Sequence, residues 1–307
     1  MRIVFMGTPE FAVPSLLALI KAEHEVVAVY TQPDKPQGRK MILTPPPVKV
    51  EAEKQLIPVY QPKTLKAPEE VARLTSLKPD AIVVAAYGKI LPKAVLDIPK
   101  FGCINVHASL LPKYRGASPV QAAILNGDAE TGVTTMLMAE ACDAGDILFQ
   151  KATPILPDEN TPELMARLAK LGAELLITTL KAVEEGTVKP QKQDDTKATH
   201  VSLITKSMSP IDWNRTAQEI HNQIRALYPW PAASASLNGH RLKIYRSRVR
   251  EKEYGEPGLI VPGTENFLVC CGDGTAIELL EVQTEGGKRM SGSDFLRGHK
   301  AQGLKLS

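Results

Sequence analysis

The residues best suited to chemistry in this chain are Asn105 and His107, two positions apart in Gly102-Cys103-Ile104-Asn105-Val106-His107-Ala108-Ser109-Leu110-Leu111-Pro112. If Gly102–Val106 is a strand, alternation turns both side chains to one side, setting an amide donor beside an imidazole at the strand's end. Acyl transfer needs that pair. An amide N–H can hold a developing oxyanion, and imidazole, with an ordinary pKa of about 6.5, exchanges protons near neutrality. A third group is offered by Ala141-Cys142-Asp143-Ala144-Gly145-Asp146, after a strand-like Thr134–Met138. Such an acidic turn is ordinarily solvated loop. It joins the chemistry only if a carboxylate folds back on His107, where it would orient the ring and take protons through water.

The elements that must position these groups alternate in type. Arg2–Met6, Glu25–Tyr30, Asp80–Ala85 and Gly102–Val106 are short apolar runs, separated by helical periodicity through Phe11, Leu16, Leu17 and Ile20 and again over Glu69–Leu77. Uninterrupted apolar strands between helices indicate a parallel sheet covered on both faces, so the fold class is α/β, a doubly wound Rossmann-like domain. The turn after the first strand, Gly7-Thr8-Pro9-Glu10, stands where a dinucleotide-binding protein carries its phosphate loop, but Thr8 through Val13 supply no further glycine, which argues against a nicotinamide enzyme. It is either a tight strand-to-helix turn or a backbone wall of a ligand crevice. A long helix should follow Thr161-Pro162, with Leu164, Leu168, Leu171, Leu175, Leu176, Leu180 and Val183 as its apolar stripe and Gly186 at its end.

Beyond that helix the composition changes. Val188–Lys206 is polar and aperiodic and reads as a linker crossing the surface. One helical segment, Asp212–Leu227, precedes strand material at Ala233–Leu237, Arg241–Arg250, Gly258–Val261, Phe267–Cys271 and Ala276–Val282, with turn signals at Asn238-Gly239 and Gly272-Asp273-Gly274. Short strands with tight turns suit a smaller C-terminal OB-like β-barrel. The expected organisation is therefore a catalytic domain over 1–189, a linker over 190–207 and a barrel over 208–307.

Composition bounds the partners. The 307 residues carry 37 Lys+Arg against 34 Asp+Glu, and 43% are hydrophobic, which excludes intrinsic disorder but does not by itself announce a nucleic-acid binder. The two charge signs balance through residue 189, so the basic excess is C-terminal. No apolar run is long enough to span a membrane and the N-terminal apolar stretch is too short for a secretory signal, so a cytoplasmic protein without membrane association is expected. Cys103, Cys142, Cys270 and Cys271 show no CxxC spacing and the histidines do not cluster with them, so reduced thiols and no metal are expected.

The segment His107-Ala108-Ser109-Leu110-Leu111-Pro112-Lys113-Tyr114-Arg115-Gly116-Ala117-Ser118-Pro119, with Gly102–Val106 before it, Ala85–Pro92 and Asp143-Ala144-Gly145-Asp146, resembles the signature of the 10-formyltetrahydrofolate-dependent formyltransferases. Phe5–Phe11, Thr31–Arg39, Ile211-Asp212-Trp213 and Tyr228-Pro229-Trp230-Pro231 extend the resemblance over nearly the whole chain, closest to members whose acceptor is initiator Met-tRNA. It implies a catalytic trio of Asn105, His107 and Asp143, with 10-formyltetrahydrofolate as formyl donor and no metal. It also implies folate contacts from Ser109, Leu110, Leu111 and Pro112 and from Ala86, Tyr87 and Gly88. Two positions depart from the usual pattern. Ala108 replaces a glycine, which matters only if the backbone there needs positive φ. Cys142 replaces a leucine and is expected to be packing.

Two basic segments are candidates for tRNA. Gln32–Lys49 holds Lys35, Arg39, Lys40 and Lys49 among five prolines, too Pro-rich for helix and too long for an ordinary connection. By itself it reads equally as a mobile surface loop. By resemblance it reaches the tRNA acceptor end, with Met41-Ile42-Leu43 giving apolar contact where further lysines are usual. Arg241–Arg250 alternates at first, Leu242 and Ile244 against Arg241, Lys243 and Tyr245, until Arg246, Arg248 and Arg250 break the pattern. A charged strand commonly only protects an edge, yet five basic residues and a tyrosine on a small barrel also make a platform for a nucleic-acid backbone. The function expected is formyl transfer to the α-amino group of Met-tRNA by a monomer. A formyltransferase acting on an amino sugar or purine precursor, or a tRNA-binding module that holds folate for regulation, are the alternatives.

Overall fold

In a computed structural model that describes residues 1–38, 40–250 and 255–307, strand β1 (Arg2–Gly7) is an interior strand of a seven-stranded sheet. Its Ile3, Val4, Phe5 and Met6 are completely buried, because β2 (Glu25–Tyr30) pairs on one side, β6 on the other, and elements cover both faces. Along the chain β1 leads to α1 (Val13–Lys21) and β2, then to a hairpin of β3 (Lys35–Gln37) and β4 (Ile42–Thr44). After it come α2 (Pro47–Lys54), β5 (Val59–Tyr60), α3 (Pro68–Ser76), β6 (Ala81–Ala85), α4 (Lys93–Leu96), β7 (Cys103–His107) and β8 (Arg115–Gly116). Helix α5 (Pro119–Leu125), β9 (Glu130–Leu137), β10 (Ile147–Pro154), α6 (Thr161–Glu184) and β11 (His200–Val201) follow in the chain. The sheet order is β10-β9-β7-β6-β1-β2-β5. Strands β5 through β7 run parallel, whereas β7 pairs antiparallel with β9, so the sheet is mixed at that edge.

The order reverses between β1 and β6. That is a topological switch point, and ligands of such sheets bind outside the carboxyl ends of the strands there. Gly7 ends β1 in a turn so tight that a Cβ would stand 2.8 Å from the side chains of Ala12 and Phe5. Helix α6 covers the β7 face carrying Val106: a Cβ on Gly172 would lie 2.8 Å from Val106 Cγ1. Asn105 and His107 alternate with Val106 and so leave that covered face.

The segment read as too Pro-rich for helix is in fact a hairpin followed by a helix. Pro47 occupies the first turn of α2, where its missing N–H removes only a donor that has no helical partner anyway. The described chain separates into two compact units, one of Met1–Gly116, Thr131–Thr153 and Met165–Val201, the other of Ala117–Glu130, Pro154–Leu164 and Ser202–Ser307.

The second unit holds α7 (Ala217–Ala226), β12 (Ala233–Leu237), β13 (His240–Arg250), β14 (Leu268–Cys270), β15 (Ala276–Thr284), β16 (Met290–Ser291) and α8 (Gly292–His299). Its antiparallel sheet runs β12-β13-β15-β14 with β16 on β15, around a core that includes Ile220, Ile244, Phe267, Ile277, Val282 and Phe295. Helix α7 starts five residues later than the periodicity suggested, because Thr216 and Glu219 form a reciprocal capping box. Gly258–Val261 makes only isolated bridges rather than a strand. The Asn238-Gly239 turn has φ of 52° and 80°, as a type I′ hairpin requires. The register of β13 on β15 shifts around Tyr245. This bulge accounts for the broken alternation: Leu242, Ile244, Tyr245 and Ser247 are buried, while Arg246 and Arg248 stay exposed.

Candidate active site

Asn105 and His107 occupy β7 at its carboxyl end and are both nearly buried, with 7% exposure each. Among the described residues the Asn105 amide has no hydrogen-bond partner, so its N–H groups remain available to an incoming oxygen. His107 Nε2 lies 3.0 Å from the Tyr114 carbonyl oxygen. A carbonyl can only accept, so Nε2 carries the proton and Nδ1 is the nitrogen that exchanges one. Asp143 does fold back: its Oδ1 lies 3.7 Å from His107 Nδ1, within ion-pair distance and too far for a direct hydrogen bond. A loop 36 residues away in sequence thus supplies the third group.

Asp143 is held from several sides. Its Oδ2 accepts from the Gly116 N–H at 2.9 Å and from the Cys142 thiol at 3.4 Å. Its φ of +51° lies in the left-handed region that favours glycine. Two residues on, Gly145 passes so near β9 that a Cβ would stand 1.7 Å from the Leu137 carbonyl oxygen. Cys142 is exposed, not packed as expected, and partial desolvation of its thiol, reinforced by the Asp143 charge and hydrogen bond, pushes it up to about 11. It stays protonated near neutrality and donates to the carboxylate.

The folate candidates divide by orientation. The Ser109 hydroxyl is fully buried and donates to the Lys113 carbonyl, and Leu111 packs with Met136 and Ile147, so Leu110 and Pro112 are the half-exposed side chains of that loop. Thr134 Oγ1 accepts from the Leu111 N–H and donates to the Ser109 carbonyl, while Gln150 Nε2 donates to the Leu111 carbonyl and to Thr134. Ala108 has no positive φ, so alanine in place of glycine costs nothing. Tyr87 is buried in the sheet core, and its main chain is what reaches the crevice. The Tyr87 carbonyl accepts from Thr8 Oγ1 at 2.9 Å and Gln32 Nε2 at 3.1 Å, between Ala86 and Gly88, both exposed and at positive φ. The turn after β1 is a tight turn, tied through Thr8 to the Tyr87 main chain.

The formyl transferase family description matches residues 1–180, and that of its C-terminal domain matches residues 203–300. The chain belongs to the formyltransferase family. It is 50% identical over 303 residues to the methionyl-tRNA formyltransferase of Citrifermentans bemidjiense, covering 98% of this chain and 95% of that one. Over 299 residues it is 49% identical to that of Bacillus subtilis, covering 97% and 94%. An N-formyltransferase from Helicobacter canadensis, solved with folinic acid and dTDP-3-aminofucose, shares the fold with a TM-score of 0.69 at 24% identity over 90% of this chain and 98% of that one. The formyl donor of the family is 10-formyltetrahydrofolate.

The basic candidates of this formyltransferase lie in separate places. Lys35 and Lys40 are exposed on the β3–β4 hairpin beside the exposed Met41, Ile42 and Leu43, whereas Arg39 lies outside the described residues. Lys49 is not a free cation of this loop. It pairs with Asp34 at 2.8 Å, and Gln61 also donates to Asp34, which together hold that carboxyl below its usual range and anchor the hairpin's base. In the other unit Arg241 donates to Ser209 Oγ and Lys243 is half-buried, while Arg246 and Arg248 line a groove of about 620 Å³ with Arg289, Glu281, Met290 and Ser291. Arg289 lies 3.7 Å over the Tyr245 ring and was not singled out from the sequence. No helix among the described residues is long and apolar enough to cross a membrane, and no three described His, Cys, Asp or Glu side chains are grouped as metal ligands.

Proposed function

We propose that this formyltransferase moves the formyl group of 10-formyltetrahydrofolate to the α-amino group of the methionine esterified to initiator tRNA, with Asn105, His107 and Asp143 as the catalytic trio. The single observation that carries the reading is the approach of Asp143 to His107 Nδ1 beside the unpartnered Asn105 amide. An α-amino group ionises near pH 7.7–8, so a useful fraction is neutral and nucleophilic without activation. As the amine nitrogen bonds to the formyl carbon, the carbonyl π pair moves onto the formyl oxygen of a tetrahedral intermediate, and its return to C=O breaks the bond from that carbon to folate N10. The Asn105 amide and the protonated Nδ1 of His107 stabilise the negative charge on that oxygen, with Asp143 as counter-charge to the imidazolium. Asp143 takes the proton lost by the amine, through water, and N10 gains one on leaving.

Leu110, Pro112 and the main chain at Ala86, Tyr87 and Gly88 line the folate side, with Ser109 and Leu111 shaping their loop from within. In this reading residues 1–189 form the catalytic part, 190–207 the linker and 208–307 the tRNA-binding part of a monomer. The tRNA meets the hairpin carrying Lys35 and Lys40, together with Arg39 of the same sequence segment, and the strand carrying Arg241, Lys243, Arg246 and Arg248. The reading is supported by full-length identity near 50% to methionyl-tRNA formyltransferases. The test is a formylation assay with 10-formyltetrahydrofolate and, as acceptors, initiator Met-tRNA, elongator Met-tRNA and free methionine. Selective product on the initiator is expected. Equal product on all three, or none on any, would overturn the acceptor assignment.

A further inference from the structure

The segment that reads from sequence as a surface linker carries a buried side chain aimed at the active site. Gln193 is 7% exposed and uses every hydrogen-bonding group of its amide except one acceptor lone pair. Its Nε2 donates to the carbonyl of Asp143 at 2.8 Å and to that of Gly145 at 2.7 Å. Its Oε1 accepts from Nε of buried Arg115 at 3.0 Å, and Arg115 Nη2 reaches Asp195 at 2.8 Å. The residue after Arg115 is Gly116, whose N–H holds the Asp143 carboxylate at 2.9 Å. Asp143 is thus gripped at both ends, its main chain by Gln193 and its carboxylate by Gly116, and Arg115 ties the two grips together. The same segment goes on as β11, which pairs with Arg115 and Gly116, while Thr199 accepts from the Tyr114 N–H and the Tyr114 carbonyl faces His107.

We infer that Gln193 is a positioning residue of the formyl transfer, fixing the Asp143 loop so that the carboxylate stands against His107 Nδ1. The inference rests on the reading of Asn105, His107 and Asp143 as the trio. The physical need is plain: a left-handed aspartate is a strained conformation that persists only where its surroundings hold it, and catalytic groups displaced by about 1 Å can lose about a hundredfold in rate. Gln193 touches no reacting atom, so its effect must pass through Asp143.

The test is steady-state kinetics on the full-length enzyme with 10-formyltetrahydrofolate and initiator Met-tRNA. Gln193→Met keeps the length of the side chain without its hydrogen bonds. Gln193→Glu keeps the shape and the Arg115 pairing but loses both donors. Each is expected to lower kcat about 10- to 100-fold with both KM values within about twofold of wild type. In an Asp143→Ala background neither substitution should lower kcat further, because the group it positions is gone. Thermal midpoints separate this from loss of fold: a lowered midpoint with kcat per folded molecule unchanged in both variants would make Gln193 purely structural and overturn the inference. Losses that multiply in the double variants would overturn it too, by showing an action independent of Asp143. Should Asp143→Ala alone retain full turnover, the trio reading itself fails. Loss in Asp143→Ala beside wild-type kinetics in both Gln193 variants removes only the role of Gln193.

Discussion

Replacing Thr134 by valine removes a hydroxyl that ties the Ser109–Pro112 loop, proposed to line the folate, to β9 while keeping the side chain's outline. Thr134 is completely buried, donates to the Ser109 carbonyl at 2.6 Å, and accepts from the Leu111 N–H at 3.1 Å and Gln150 Nε2 at 2.9 Å. Gln150 keeps its bond to the Leu111 carbonyl, so two main-chain groups of the loop are orphaned. A buried polar group left unsatisfied costs about 1–3 kcal/mol, and the added methyl recovers part of that, so a net loss of about 2–4 kcal/mol is expected. For a unit of this size each kcal/mol moves the midpoint by about 2–4 °C, giving a fall of about 4–16 °C for the transition of that unit. The same loosening should raise the KM for 10-formyltetrahydrofolate more than it lowers kcat. Differential scanning calorimetry and kinetics on Thr134→Val and Thr134→Ser together decide the point, since serine retains the hydroxyl. A valine variant melting within about 1 °C of wild type with unchanged folate KM would refute the assignment of Thr134 and Gln150 as the loop's supports.

Other perturbations act on the second unit. His221 is buried against Ser247, the Pro157 carbonyl, Asp158 and Arg225, and burial holds its pKa below the ordinary 6.5 despite the opposing Pro157 and Asp158 contributions. As pH falls the unfolded chain takes up this proton first, so the contribution is complete above pH 6.5 and is lost as pH falls towards the folded pKa. Urea midpoints between pH 8 and 5 should therefore decline below about 6.5, and less steeply in His221→Asn. Arg246→Ala and Arg248→Ala should each weaken tRNA binding, reduce the salt-dependence slope by about one and leave folate KM unchanged. Unaltered salt slopes would place the tRNA elsewhere.

Much of the sheet was legible because strands buried on both faces must be apolar throughout. Glu25–Tyr30 matches β2 residue for residue, and the runs at β1, β6 and β7 were each found to within a residue at either end. What escaped has local causes. The β3–β4 hairpin is short, exposed and interrupted by Pro36, so it has neither an apolar run nor alternation to betray it. Helix α8 is eight residues long, too short for periodicity to stand out. The bulge at Tyr245 shifts the strand's phase, and a phase shift looks like broken alternation in a one-dimensional reading. In the site, the Asn105–His107 pair could be reasoned from strand geometry alone, whereas Asp143 could be joined to it only by resemblance, since spacing gives no reason for a distant loop to return. Gln193 left one usable trace, a pair of glutamines, Gln191 and Gln193, beside Pro190 in a polar, aperiodic segment. A polar residue that folds inward to satisfy main-chain carbonyls carries no hydrophobic signature.

The central claim, that Asn105, His107 and Asp143 act together on the transferring formyl group, is tested most directly by single-turnover formylation of initiator Met-tRNA with Asn105→Ala, His107→Ala and Asp143→Ala, each shown to be folded and to bind folate. Removing one oxyanion donor costs about 10²–10³ in rate, so each variant should fall by at least that much, and the triple variant by far less than the product of the three losses. Near-wild-type turnover in any one of them would strike that residue from the mechanism, and in all three would contradict the account.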